Sequence, residues 1–475
     1  MAWMDRRRAA VALVALIALV GCTADPSAQP STSVFADPSS SPNGSQVPAA
    51  SASPQPMAVA ELAPGTYADV VTDDLVIRSE PGTSAESVIY PDRLNAPTSV
   101  YIADGPVVAD GYDWYFVVAF DADGTVPALI GWSAAEGKDG EVWLQPIEHS
   151  NDAWSILEMN ETPADLNPRS SAIGPDGHLY FFGSFDSRSE PSGNAWALDP
   201  ASGSWRELTP MPTPRHRPMV AATGDGLFYV IGGAPGGSIS SDDTSVVEVY
   251  DSETNRWTRS GNAPLMPDFL NAGKAIADSE GVIRVFSGRE VLRYDPATSN
   301  WETESTRNAA MFWDVAIGGD SSVSVLEYGG GVHPYDPATG ALGEASGVSG
   351  ISRHGGALAA APDGRILVFG GSVAPGLGAT CTGYRTSAAL SLVEALDPST
   401  GEWMTMAPMP MPFSEPAAFS TADAVLVVGL SVGSPSDPTA TQGELVVAEL
   451  SLAPPVEGAP LAATDQESSP SGCGV

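Results

Sequence analysis

From residue 179 onward, short apolar runs alternate with polar turns, at strand length and without a helical period. Leu227-Phe228-Tyr229-Val230-Ile231 and Ile366-Leu367-Val368-Phe369 are the fullest runs, and each ends on a double glycine, Gly232-Gly233 and Gly370-Gly371. Leu179–Phe182, Ile283–Phe286 and Val323–Leu326 are looser copies. Such runs, rich in β-branched and aromatic residues and bounded by turn signals, predict buried strands. A turn of one kind follows each run. It reads Asp199-Pro200-Ala201-Ser202-Gly203-Ser204-Trp205 in the first copy and recurs at Asp251–Trp257, Asp295–Trp301 and Asp397–Trp403. The Asp336–Leu342 copy has lost its tryptophan. Aspartate caps such a turn, proline presets φ, and serine or threonine bonds back locally. The tryptophan opens the next strand and supplies a large buried surface.

Double glycine, aspartate turn and tryptophan at this spacing resemble the kelch repeat of β-propellers. The resemblance implies an all-β fold of four-stranded blades around a central channel, occupying residues 152–453. Val425–Leu430 and Glu444–Leu452 supply strands of a last blade, but no aspartate turn and tryptophan follow them. Trp154-Ser155-Ile156-Leu157 looks like Trp403-Met404-Thr405-Met406 and precedes the first blade. An N-terminal strand completing the C-terminal blade removes exposed edges, so the expectation is a closed ring of six blades, with seven as the alternative.

Residues 58–148 read as a separate small β-domain, with Tyr115–Phe120 its strongest strand signal. Leu75–Ser84, Gly111–Tyr115 and Gly131-Trp132-Ser133 resemble bacterial SH3-like domains in order and spacing. Val76 departs from that pattern, standing where the family has a polar residue. The resemblance implies a small barrel that either binds cell wall or peptide, or acts as a spacer.

The N-terminus adds a location. Arg6-Arg7-Arg8 precedes the apolar stretch Ala9–Val20, which is too short to span a bilayer but suits a signal peptide. Leu19-Val20-Gly21-Cys22 resembles the lipobox of bacterial lipoproteins, which implies a signal peptide over residues 1–21 and a lipid on Cys22. An ordinary secretory signal with a chance cysteine is the alternative. Residues 22–57 are rich in Ser, Pro, Ala and Thr and read as a disordered tether; residues 454–475 form a tail of similar character.

The chain of 475 residues carries a net charge of −37 and a pI near 4.1, which excludes a nucleic-acid partner. Its only lysines are Lys138 and Lys274. Besides Cys22 it has Cys381 and Cys473, an even pair that outside the cytoplasm favours a disulfide over two free thiols. Its five histidines make no His-x-x-x-His pair, no Cys-x-x-Cys occurs, and no Gly-x-Ser-x-Gly elbow is present. No metal or cofactor is expected. The enzyme alternative is a secreted propeller resembling galactose oxidase, a copper radical oxidase, for which Cys381, Tyr384 and His354 would be the residues to place.

Binding has its own candidates. Arg215-His216-Arg217 and Arg353-His354 share a register, with each leading arginine eleven residues before a turn glycine, Gly226 or Gly364. In a six-bladed ring they enter opposite blades. Two readings stay open: solvated guanidinium groups facing an anionic ligand across the channel mouth, or buried ones bonding carbonyls between blades. The sequence thus points to a monomeric, lipid-anchored, extracytoplasmic binding protein whose ligand is a protein, a carbohydrate or a cell-wall component.

Overall fold

The structure is a computed structural model. It describes residues 62–452 except 121–126, 151, 186–189, 235–244, 265–272, 289, 306–310, 328–329, 347–352, 354, 374–387 and 433–442. The expected signal segment with Cys22, the expected tether, His354, Cys381, Tyr384 and Cys473 therefore lie outside the described residues, and with them the expected disulfide.

Six four-stranded antiparallel sheets form the propeller. In chain order their innermost strands are Ser171–Ile173, Met219–Ala222, Gly273–Ala277, Phe312–Ile317, Ala357–Ala360 and Phe413–Ser420, which open blades 1 to 6. These six strands pack side by side in a closed ring. The second strands are the apolar runs of the repeat. Leu227–Ile231 and Ile366–Phe369 are buried along nearly their whole length because neighbouring blades cover both faces. The cores accordingly lie between blades: Phe182, Phe228 and Tyr250 of blades 1 and 2 meet in one cluster, and Leu326 and Val368 of blades 4 and 5 in another.

The aspartate turns behave as their composition predicts. The Asp199 carboxylate accepts from the Ala201 amide at 3.0 Å and the Ser202 hydroxyl at 2.7 Å. Asp251 accepts from the Glu253 and Thr254 amides and the Thr254 hydroxyl. Asp336 holds Ala338 and Thr339 in the same way.

The ring closes as expected. Ala153–Ile156 pairs with Leu445–Ser451 as the outer strand of blade 6, with Trp154 opposite Leu450. The tryptophans reveal why this strand fits. Trp257 Nε1 donates to the Thr209 carbonyl at 2.7 Å, and Trp403 Nε1 to the Ser346 carbonyl at 2.7 Å. Each bond ties an outer strand to the segment leaving the preceding blade. Trp154 Nε1 donates to the Ala407 carbonyl at 2.9 Å, which is the same bond made across the closure.

Ahead of the propeller, seven strands form one antiparallel sheet. Its order is Ile89–Leu94, Leu75–Arg78, Pro127–Ala134, Tyr112–Phe120, Thr98–Ala109, Tyr67–Val70, Leu144–Pro146. Its core contains Trp114, Trp132, Tyr101 and Val118, and it also takes in Leu390 and Leu392 from blade 5. The Ser391 amide between them donates to Tyr101 Oη at 3.0 Å. Gly65 explains how closely the two parts meet. Its φ is +96°, and a Cβ there would lie 2.2 Å from Pro408 Cβ, so only glycine fits. Among the described residues no helix is long and apolar enough to cross a membrane.

Candidate functional site

The leading arginines of the two repeated segments do share a register, but their guanidinium groups are not solvated. Arg215 is 0% exposed and Arg353 2% exposed. Arg215 Nη1 pairs with Glu248 Oε2 at 2.5 Å and donates to the Thr213 carbonyl, while Nη2 donates to the Val230 carbonyl. Arg353 Nη2 bonds Glu394 Oε2 in the same way, and Nη1 reaches the Gly370 carbonyl at 3.4 Å. Each glutamate lies on the third strand of the same blade, three residues before the turn aspartate, Asp251 or Asp397. Solvation at the mouth is thereby corrected: a buried guanidinium with a carboxylate facing it keeps that partner instead of water. Burial, opposed by Glu248, pulls the Arg215 guanidinium below its ordinary range.

The two pairs differ at one oxygen. Glu248 Oε1 accepts from the Thr213 hydroxyl at 2.7 Å. Isoleucine stands at the matching position 351, and no hydroxyl can come from there. Glu394 Oε1 instead accepts from Tyr67 Oη at 3.1 Å, a residue of the N-terminal sheet. Burial first, then the Glu394 charge, drives that phenol well above its usual range, so it stays a donor.

The other members of the first segment point elsewhere. His216 is buried and stacks on Phe185 of blade 1, ring centres 3.9 Å apart. Burial, with Arg217 beside it, pushes its pKa down to about 4, so the ring is neutral at pH 7. Arg217 is half-buried and lies within electrostatic reach of Arg169.

Arg169 leads to a set of residues that the repeat pattern does not mark. It sits in the 3₁₀ turn Pro168–Ser170, which Asn167 caps by accepting from the Arg169 amide at 2.9 Å. From blade 1 its Nη2 donates to the Trp313 carbonyl of blade 4 at 2.8 Å, and its guanidinium lies 4.6 Å from the centre of that indole. Lys274, on the innermost strand of blade 3, extends to blade 6, where Nζ stands 5.0 Å over the Phe419 ring. Blades 1 and 4 are opposite in a ring of six, as are 3 and 6. Two cations therefore cross the axis of the propeller. Asp314 faces both electrostatically, yet its oxygens accept from the Val315 and Leu358 amides at 2.9 and 3.1 Å.

Among the described residues no group of three or more His, Cys, Asp or Glu is arranged to hold a metal ion.

Two segments each match a family model described as Kelch motif, residues 215–262 one and 353–410 another, and they begin at Arg215 and Arg353. With its six blades, the chain is a β-propeller carrying kelch motifs. One F-box/kelch-repeat protein of Arabidopsis thaliana is 30% identical over 158 residues, which is 31% of this chain and 43% of that protein. A second from the same plant is 27% identical over 210 residues, 41% of this chain and 54% of its own length. Kelch-like protein 35 of Mus musculus is 26% identical over 181 residues, 36% of this chain and 30% of its own. The chain thus spans about half or less of the curated relatives it matches. The solved structure of YjhT overlays with a TM-score of 0.48 at 16% identity, covering 62% of this chain and 99% of that one.

Proposed function

We propose that this chain is a binding protein, displayed outside the cytoplasm by a lipid on Cys22, with the propeller as its ligand-holding body. The observation that supports binding is how the polar interior is used. The kelch-register arginines are spent inside blades 2 and 5 on Glu248 and Glu394, where they hold shape. Arg217 and Lys274, each partly exposed, stand within electrostatic reach of Arg169, whose side chain reaches blade 4. Nothing in that arrangement aligns a nucleophile with a base, whereas it suits holding a ligand. The N-terminal sheet, on this reading an SH3-like module, buttresses blade 5 and offers a second surface for peptidoglycan or a peptide.

Location is tested by Cys22→Ser. The variant is expected to leave the membrane fraction for the soluble fraction or the medium, and unchanged membrane retention would overturn the anchor. Binding is tested by incubating the purified protein with purified peptidoglycan and with an envelope extract. Saturable retention of the protein on wall material, or of a defined envelope component on the protein, is expected. Failure of both overturns the binding reading.

A further inference from the structure

Among the described residues the arginine ion pairs include Arg215–Glu248, Arg284 with Asp278 and Glu304, Arg293–Glu302, Arg353–Glu394 and Arg365–Asp363. Among the described residues neither Arg169 nor Lys274 has a carboxylate oxygen within ion-pair distance, and Asp314 is the only carboxylate acting on them electrostatically, in a chain of net charge −37. Carboxylates outnumber cations nearly threefold, 58 to 21, so a cation left without one inside the fold calls for a reason. Neutral contacts partly compensate. Arg169 has the Trp313 carbonyl and indole, and Lys274 has the Phe419 ring. Lys274 is deep within the ring and still half-buried rather than sealed, as a side chain facing a channel would be. Its ammonium is held below the usual lysine range by burial, opposed by the Asp314 charge, with Arg169 acting in the same sense as burial.

Register places a further group beside these. Ser170, Lys274 and Asp314 each stand seven residues ahead of a left-handed turn residue, Gly177, Gly281 or Ser321. Lys274 and Asp314 therefore stand at one level of the innermost strands of blades 3 and 4, and Ser170 at the matching position just ahead of the innermost strand of blade 1. Ser170 is 0% exposed, and its hydroxyl has no hydrogen-bond partner among the described residues. A buried hydroxyl left unpaired loses the water bonds it had in the unfolded chain, a cost that a ligand atom can remove.

We propose that the axis of the propeller is a binding site for a small carboxylate, held by Lys274 and Arg169 with Ser170 as a neutral donor. A guanidinium offers a planar fork that suits a carboxylate, and an ammonium beside it adds a point charge. Against Lys274 and Arg169, Asp314 supplies one negative charge and leaves one positive charge over, so a singly charged ligand balances the site better than a multiply charged phosphate. The field of the whole chain disfavours the latter further. The carboxylate can belong to a simple organic acid or to an acid sugar, since both present the same group. This inference rests on the binding reading only for its premise that the propeller holds a ligand. It does not depend on the anchor or on any wall partner.

The test uses the full chain and four probes: acetate, glucuronate, glucose and phosphate, each compared with sodium chloride at equal ionic strength. Tryptophan fluorescence and melting temperature are recorded. A saturable change with acetate and glucuronate, beyond the salt control and absent with glucose, is expected. Tighter binding of glucuronate than acetate would assign the acid-sugar source, and equal binding the organic-acid source. Lys274→Met should weaken the affinity at least tenfold and leave the melting temperature unchanged or raised, because it removes a desolvated charge. Lys274→Arg should restore most of the affinity, and Lys274→Gln replaces the Met variant if that one fails to fold. No saturable response to either carboxylate overturns the proposal. So does binding that Lys274→Met and Lys274→Gln leave intact, or a phosphate response as strong as that to the carboxylates. Wall or envelope retention can persist through all of these results, so the two readings fail separately.

Discussion

At the scale of single residues, the Arg215–Glu248 pair shows how a charged side chain can be structural in an acidic protein. Removing one partner leaves a buried charge unpaired. Arg215→Ala is expected to cost about 3–5 kcal/mol, whereas Arg215→Met combined with Glu248→Leu should be near neutral. Urea midpoints of the two variants check this, and a mild single mutant would show that Glu248 finds water. His216 carries a second consequence. Its folded pKa of about 4 lies below the ordinary histidine value of 6.5. A depressed pKa means that the unfolded chain takes up the proton first. The stability tied to this neutral ring is therefore complete above pH 6.5 and is lost as pH falls toward 4. It is worth on the order of 2–3 kcal/mol. Carboxylate repulsion relaxes over the same range and acts oppositely, so the comparison that matters is with His216→Phe. The variant should lose less stability than wild type between pH 7 and pH 4. Parallel curves would place the histidine in water. The shared register of Arg215 and Arg353 was legible in the sequence, but their burial was not, because Glu248 and Glu394 are 33 and 41 positions away. Lys274 was visible as one of two lysines. Its meaning needed the register of Gly281 and the reach to Phe419, neither of which has a local signal.

At the scale of elements, the aspartate turns and the tryptophans do separable work. The carboxyls of Asp199, Asp251, Asp336 and Asp397 are held below their usual range, first by hydrogen bonds from the Ser or Thr hydroxyls of their own turns. Depressed carboxyls stabilise the fold above the ordinary carboxylate range and lose that effect as pH falls through their folded values. Thr254→Ala should return Asp251 toward its usual value, as an NMR titration of the carboxyl carbon would read, and leave Asp397 unmoved. These turns were legible because the bonds that their aspartate carboxylates accept are made within three residues. The tryptophan bonds were half legible: the spacing marked Trp257, Trp403 and Trp154 as equivalent, but the carbonyl that each one reaches belongs to the preceding blade. Trp154 is the informative case, since its strand closes the ring. Trp154→Phe loses the bond to the Ala407 carbonyl, about 1 kcal/mol, and Trp154→Ala also loses packing, for about 3 kcal/mol in all. Calorimetry should rank them in that order, and equal losses would mean that the bond, not the aromatic packing, holds the closure.

At the scale of the whole molecule, the sequence separates residues 58–148 from the propeller, yet the folded chain joins them. Tyr67 reaches Glu394 across 327 positions, filling the place that Thr213 takes in blade 2. Leu390 and Leu392 are 0% exposed within the core of the N-terminal sheet, and Gly65 admits Pro408 at a distance that a side chain would forbid. None of this is legible from local pattern, because the partners lie in different repeats and the tyrosine replaces a hydroxyl that blade 5 lacks. The blades themselves were legible because their strands pair with chain neighbours. A shared core has a thermodynamic signature. Two parts that bury apolar surface against each other lose that stabilisation together, so sheet and propeller should melt in one cooperative transition. Leu392→Asp puts a charge into the joint core, where a lone carboxylate is strongly disfavoured. It should split the calorimetric trace into two transitions, the smaller one matching the sheet, while the propeller keeps its blade contacts. Wild-type protein that already melts in two steps would show that the contact at blade 5 is too weak to couple them.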